Sequence, residues 1–237
     1  QPGPEAEGLG VLYANMSGTT VARSVDGGRS WEFVVGKAQI QANYPCVLHV
    51  PTGDPGQLYQ GCEAPLDVAW VARRDITSRT GPLPAQVTLV HHDEIENRRP
   101  NSLTSGPGRP GRVYVGLEGG LIWLEGDAWD WVYQKEAGPP TFGLYTYVRA
   151  IWIDPCDPDH LVFGGTINGV NPRLNLYETF DHGPDVQFVD PPFSLGADPR
   201  IETGAAAGPD GRDFVLLITH EVDRRKQVRV LLRRYAR

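Results

Sequence analysis

The sequence predicts an all-β protein, a β-propeller of four-stranded blades with five as the best count, and three observations lead there. Its 28 glycines and 21 prolines make up about a fifth of the 237 residues and are spread along the whole length. Average proteins carry roughly 12% of the two together, and helix interiors exclude both, so a helical bundle is ruled out. Segments of the chain repeat at multiples of about 50 residues. The repeats are punctuated by Asp, Gly and Pro turns that leave room only for short strands.

Two kinds of marker establish the period. Tyr44-Pro-Cys-Val47-Leu48-His-Val50 through Asp54-Pro55 to Leu58 and Gly61 aligns with Tyr147-Val-Arg-Ala150-Ile151-Trp-Ile153 through Asp157-Pro158 to Leu161 and Gly164, at a constant offset of 103. Val21-Ala22-Arg23 returns as Val71-Ala72-Arg73 at an offset of 50. A unit of that length, with an apolar run, an Asp-Pro turn, a strand ending in Gly and two more strands about a tight turn, is a blade. Length divided by period gives the expected blades 11–36, 44–92, 103–134, 147–190 and 201–237 within a single domain.

Each blade is justified locally. The first carries the turn Ser24-Val-Asp26-Gly-Gly28-Arg-Ser30-Trp31, in which the Asp26 carboxylate can accept backbone N–H groups, Gly28 permits positive φ and Trp31 is expected to pack between sheets. The second opens with Cys46 and Cys62 flanking a Pro-Thr-Gly-Asp-Pro-Gly turn, which predicts a hairpin with the two cysteines across it. The third keeps a degenerate form of the turn, Ile122-Trp-Leu-Glu-Gly126-Asp-Ala-Trp129-Asp-Trp131-Val132. In the fourth, Thr179-Phe-Asp181-His-Gly183 runs on to Phe188 and Val189 in register with the first. The fifth holds 212–237, free of Gly and Pro, where the period demands a hairpin (Asp213–Thr219 and Gln227–Arg234, turning at Asp223–Lys226) in place of a helix. Its strands are expected to complete the N-terminal blade.

Ser24-x-Asp26-x-Gly28-x-Ser30-Trp31 resembles the Asp-box of bacterial neuraminidase-repeat propellers, a group spanning sialidases, sortilin-like receptors and photosystem II assembly-factor-like proteins. The resemblance implies a structural role for Ser24, Asp26, Gly28, Trp31, Asp181 and Gly183. It also places ligand sites on the face opposite these turns, in loops 36–45, 62–67, 93–102, 134–147, 166–174, 190–200 and 220–226. Candidate binding residues there are Tyr44, Glu63, Phe142, Tyr145, Tyr147, Asn168, Arg173 and Arg200. Loops 134–147 and 166–174 are longer than their counterparts, and long loops on a rigid scaffold tend to carry function. Aromatic residues that merely fill a central channel are the competing reading.

Catalytic chemistry finds little support. A sialidase of this group would need three arginines converging on a carboxylate, a Tyr–Glu pair and an acidic Asp. No Arg-Ile-Pro segment is present, and Tyr145 and Tyr147 lack an evident glutamate partner. No nucleophile elbow, phosphate loop or cofactor fingerprint appears. His91-His92-Asp93-Glu94-Ile-Glu96 and Asp154-Pro-Cys-Asp157-Pro-Asp159-His160 look metal-rich, yet neighbours on a strand point to opposite faces and Asp-Pro segments make turns. Asn15-Met-Ser17 has the pattern of a glycosylation sequon. No catalytic residue, metal or cofactor is expected.

Net charge is −7, but Arg224, Arg225, Lys226, Arg229, Arg233, Arg234 and Arg237 lie in the last fourteen residues without an acid, which leaves −14 on the rest. An acidic body disfavours nucleic acid, and no apolar run is long enough to span a membrane. The basic strand reads either as an edge protected by charge or as a docking patch of Arg224, Arg225, Arg229, Arg233 and Arg234. One disulfide, Cys46–Cys62, with Cys156 left over, fits an exported protein, as does the start at Gln1 with Met16 the only methionine. The expected function is a non-catalytic, secreted or extracytoplasmic recognition or scaffold module, binding a protein partner as an accessory subunit of a cell-surface assembly. A glycan-binding or glycan-hydrolysing propeller is the alternative.

Overall fold

Alternating strands without helix breakers to interrupt them, joined by Gly and Asp turns, produce sheets and nothing else. The computed structural model describes residues 10–36, 46–51, 53–64, 68–95, 98–106, 108–109, 111–134, 146–167, 173–180, 186–189, 197–207 and 213–234. Their regular structure is entirely strand, in five small antiparallel sheets formed from consecutive segments. These are β1–β3 (Leu12–Ser17, Thr20–Ser24, Glu32–Val35) and β4–β7 (Val47–His49, Gln57–Ala64, Val68–Asp75, Val87–Val90). Then come β8–β11 (Pro100–Thr104, Arg112–Leu117, Gly120–Glu125, Ala128–Gln134) and β12–β15 (Thr146–Ile153, Leu161–Ile167, Arg173–Thr179, Gln187–Val189). Last are β16–β18 (Ala197–Ala207, Asp213–Val222, Arg225–Arg234). The chain divides into two compact units, Gln1–Val50 with Asp54–Pro100, and Pro51–Gly53 with Asn101–Arg237.

In the first unit the apolar core is Val21, Val34, Leu58 and Ile76, with Tyr13, Leu48, Val50 and Leu83 packed against it. A buried arginine fastens this core. Arg23 donates through Nε to Glu32 Oε1 at 2.9 Å, through Nη1 to the Ser78 carbonyl at 2.9 Å and through Nη2 to the Gly81 carbonyl at 3.0 Å. Its guanidinium is thereby satisfied on every side, the condition for a charge to be buried. Beside it the Leu83 N–H donates to the Val34 carbonyl.

Cys46 and Cys62 are disulfide-bonded with Cα atoms 4.4 Å apart, and Val47 pairs with Gly61 one step along the ladder. The cysteines therefore face each other across the hairpin, as their spacing predicts, and Cys156 is exposed outside the bridge.

In the second unit the sheet β12–β15 has apolar side chains on both faces. Val148, Ile151, Ile153, Leu161, Phe163 and Tyr177 pack with Tyr114, Leu121 and Val132 of β8–β11. Ala150, Trp152, Val162 and Leu176 pack with Ile201, Phe214, Leu216 and Ile218 of β16–β18. Strict alternation would send Val148 and Ile151 to opposite faces. The register shift between Val148 and Ala150 corrects the phase and lets both join one core. Close approach also requires glycine: a Cβ on Gly165 would sit inside the van der Waals shell of the Tyr147 carbonyl.

Two expectations are corrected. The final hairpin turns in two residues, Asp223 and Arg224, with φ of 51° and 61°, and its strands run on to Val222 and from Arg225. Both turn residues take the left-handed region that a right-handed strand twist demands of a two-residue loop. Trp31 is 44% exposed, its indole N–H donating to the Gly28 carbonyl at 3.1 Å, so it folds back on its own turn and is not packed between sheets.

Two predictions follow from these contacts. Cys46→Ser with Cys62→Ser should lower stability by about 3 kcal/mol in urea titrations, the value for a loop of this size, and the unreduced native chain, unfolded in denaturant, should alkylate at Cys156 alone. Gly165→Ala should cost about 3 kcal/mol or more, because the obstacle is backbone and cannot move aside.

Candidate recognition surface

Side chains that the sequence offers for chemistry are mostly engaged in holding turns. In the turn of Ser24–Trp31, the Gly28 N–H donates to Ser24 Oγ at 2.7 Å and the Ser24 hydroxyl donates to Asp26 Oδ1 at 2.8 Å. The Ser30 N–H and hydroxyl donate to the two Asp26 oxygens at 2.9 and 2.6 Å, while Gly28 takes φ of 91°. The bonds from Ser30, and then that from Ser24, hold the Asp26 carboxyl well below the usual carboxylate range. Asp181 and Gly183 lie outside the described residues.

Both metal-like segments behave as turns. The Glu94 carboxylate accepts the His91 N–H at 2.6 Å and the Glu94 N–H returns to the His91 carbonyl. In 154–160, Asp154 Oδ1 accepts the Cys156 N–H, Asp157 Oδ1 the Asp159 N–H, and Arg109 pairs with Asp159. His160 is 6% exposed, with Nδ1 3.2 Å from Asp154, Nε2 2.8 Å from Glu178 and its ring stacked on Phe180 at 4.3 Å. Among the described residues no group of three or more His, Cys, Asp or Glu is placed to hold a metal ion. The Asn15 amide donates to the Gly18 carbonyl at 2.7 Å and serves its own turn.

The loop-face candidates fare unequally. Tyr44, Phe142, Tyr145 and Asn168 lie outside the described residues. Glu63 stands in strand β5, its carboxylate 3.5 Å from Arg99 Nε and largely shielded. Tyr147 is in β12 with the Arg149 guanidinium 6.0 Å from its ring centre. Arg173 opens β14, and Arg200 lies in β16. Strand positions, not loop positions, hold all four. Missed altogether was the arginine clamp of Arg23, which no local signal announces because its partners Ser78 and Gly81 are more than fifty residues away in sequence.

The β17–β18 hairpin carries exposed apolar and basic residues side by side. Along β17, Phe214, Leu216, Ile218 and His220 are buried while the intervening residues are half-buried. The register sets Thr219 opposite Val228 and Leu217 opposite Val230. Val228 and Val230 are 64% and 65% exposed, so it is the apolar side of the edge strand that meets water. Arg224, Arg225, Lys226 and Gln227 are exposed at the turn.

No family model matches the chain, and no curated protein matches it. Solved structures do. YCF48 bound to D1 peptide superposes with a TM-score of 0.52 at 12% identity over 98% of this chain and 62% of that one. An ancestral GH74 enzyme gives 0.54 at 15%, over 91% of this chain and 29% of that one. This chain thus spans less than two thirds of the length of either. The neighbours are β-propeller proteins, which supports the propeller fold and says nothing of activity.

The titrating groups set the acid limb of stability. Burial pushes the His49 pKa down to about 4 from 6.5. The folded state thus holds it neutral, and stability present above pH 6.5 is lost as pH falls toward 4. Asp26 and Asp75 lie below the ordinary 3.8 through bonds from Ser30 and Thr77. For Asp154, burial pulls upward and is outweighed by the Cys156 N–H and His160. These three add stability above 3.8 that disappears on further acidification. Denaturation midpoints against pH should therefore fall in two stages, with His49→Gln flattening the upper one and Asp26→Asn the lower.

Proposed function

We propose that this protein is a non-catalytic, extracytoplasmic recognition module, a five-bladed propeller of the Asp-box type that binds a protein partner as an accessory subunit of a cell-surface assembly. The observation that carries this reading is the C-terminal hairpin, where exposed Val228 and Val230 adjoin exposed Arg224, Arg225 and Lys226. Apolar side chains next to concentrated charge of one sign are a recognition surface, and a basic end on an acidic body steers an acidic partner. The docking patch is Arg224, Arg225, Arg229, Arg233 and Arg234, with Tyr44, Glu63, Phe142, Tyr145, Tyr147, Asn168, Arg173 and Arg200 as the second candidate surface.

Several features support the reading. The Cys46–Cys62 disulfide fits an oxidising compartment. Among the described residues no helix is long and apolar enough to cross a membrane. One structural neighbour is bound to a peptide. Glu32 pairs with Arg23, Glu125 with Arg112, and Asp26 accepts hydrogen bonds within its own turn.

The test is cross-linking capture from the native source. The chain should retain a protein that the Arg224→Gln, Arg225→Gln, Lys226→Gln variant associates with about tenfold more slowly at low salt. Hydrolysis of a fluorogenic sialoside by the purified chain, with no protein captured, would replace this reading with the glycan-processing one.

A further inference from the structure

We propose that Arg224, at the strained tip of the β17–β18 hairpin, anchors a carboxylate of an acidic protein segment. The inference rests on the protein-binding reading above and names the residue that binds and the group it takes.

The backbone of the tip is the first observation. Among the described residues, four hairpins turn in two residues: Gly18–Thr19, Glu118–Gly119, Gly126–Asp127 and Asp223–Arg224. Three of them set a glycine at positive φ, 53° at Gly18, 78° at Gly119 and 62° at Gly126. The fourth has no glycine. Asp223 and Arg224 take φ of 51° and 61°, and among the described residues no other side-chain-bearing residue has positive φ. Aspartate tolerates the left-handed region because its short side chain can bond locally. Arginine has no such relief, whereas glycine enters the region freely. The pairing of Val222 with Arg225 closes the loop around these two residues, so the strain belongs to the turn itself.

What arginine supplies there, and glycine would not, is a guanidinium in solvent. Elsewhere Arg23, Arg74 and Arg112 commit their donors to Glu32, to the Pro84 carbonyl and to Glu125. Arg224 and Arg225 are exposed, and among the described residues their side chains enter no hydrogen bond or ion pair. Lys226 stands opposite Glu221 in the ladder, and Asp223 precedes Arg224. The tip thus holds three cations and two carboxylates, an excess of one positive charge. One carboxylate from a partner balances it, and a planar guanidinium can grip that group with two parallel bonds. Apart from the seven basic residues in its last fourteen, the sequence carries −14, so an acidic segment is repelled by the body and drawn to this end. Strain held at one residue is a sign of function when a commoner residue would remove it.

Melting temperature and peptide binding, measured on the same variants of the full chain, decide it. The probe is a fluorescein-labelled decaglutamate at low salt, with decaglutamine as its control. Arg224→Gly should melt about 2 °C higher, because the turn relaxes, and bind decaglutamate about tenfold more weakly. Arg224→Lys keeps the charge and the strain but not the fork, and should regain less than half of the lost affinity. Asp223→Gly relaxes the same turn without touching the arginine, and should melt higher with binding undiminished. Undiminished binding by Arg224→Gly shows that the arginine contacts nothing and overturns the proposal. A lower melting temperature for Arg224→Gly shows that the side chain serves the fold, and overturns it too. So does native protein that binds decaglutamate no better than decaglutamine. A captured protein whose association Arg224→Gly leaves unchanged rejects the anchor while the protein-binding function stands.

Discussion

A sheet of three or four short strands cannot remove enough apolar surface from water by itself, and it must therefore bury its faces on its neighbours. The sheet β12–β15 shows what that demands, with one core of Ile151, Phe163 and Tyr177 and another of Trp152, Val162 and Leu176. Two faces with different partners leave no slack in register, since a slip of one residue exchanges them. The bulge beside Arg149 and the glycine at 165 follow from this requirement. At Gly204, where a Cβ would clash with Ala150, two small residues let neighbouring sheets come close.

Polar groups in this molecule are largely devoted to that architecture. Arg23 is buried, and its guanidinium, which could not be left without partners at low cost, donates to Glu32 and to the carbonyls of Ser78 and Gly81. Asp26, Asp154 and Asp157 spend their oxygens on backbone N–H groups within their own turns. Asn175 reaches Thr146 and Tyr177 inside the sheet. A carboxylate committed in this way is a poor acid or base, because its proton affinity is set by bonds that hold the fold.

Much of this was legible beforehand because it is local. Gly and Pro content excludes helix, the Ser24–Trp31 segment contains its own hydrogen-bond partners within seven residues, and Cys46 and Cys62 flank one turn, so the disulfide needs no distant information. The absence of Gly and Pro over 213–234 is helix-compatible, and only the repeat period argued for the hairpin that is present.

What only the tertiary structure decided depends on groups far apart in sequence. Alternation placed Val228 and Val230 on one side of a strand, but which side met water was settled by Phe214, Leu216 and Ile218 packing on β12–β14. Glu63 has a loop's polarity and lies in a strand beside Arg99, a neighbour thirty-six residues away. Trp31 has the size of a core residue and lies on its own turn, because Gly28 leaves a flat backbone surface with a carbonyl the indole can reach. Turn chemistry is determined by neighbours in the chain and can be read from them. Burial is determined by whichever face the rest of the molecule covers, and that is a property of the folded whole.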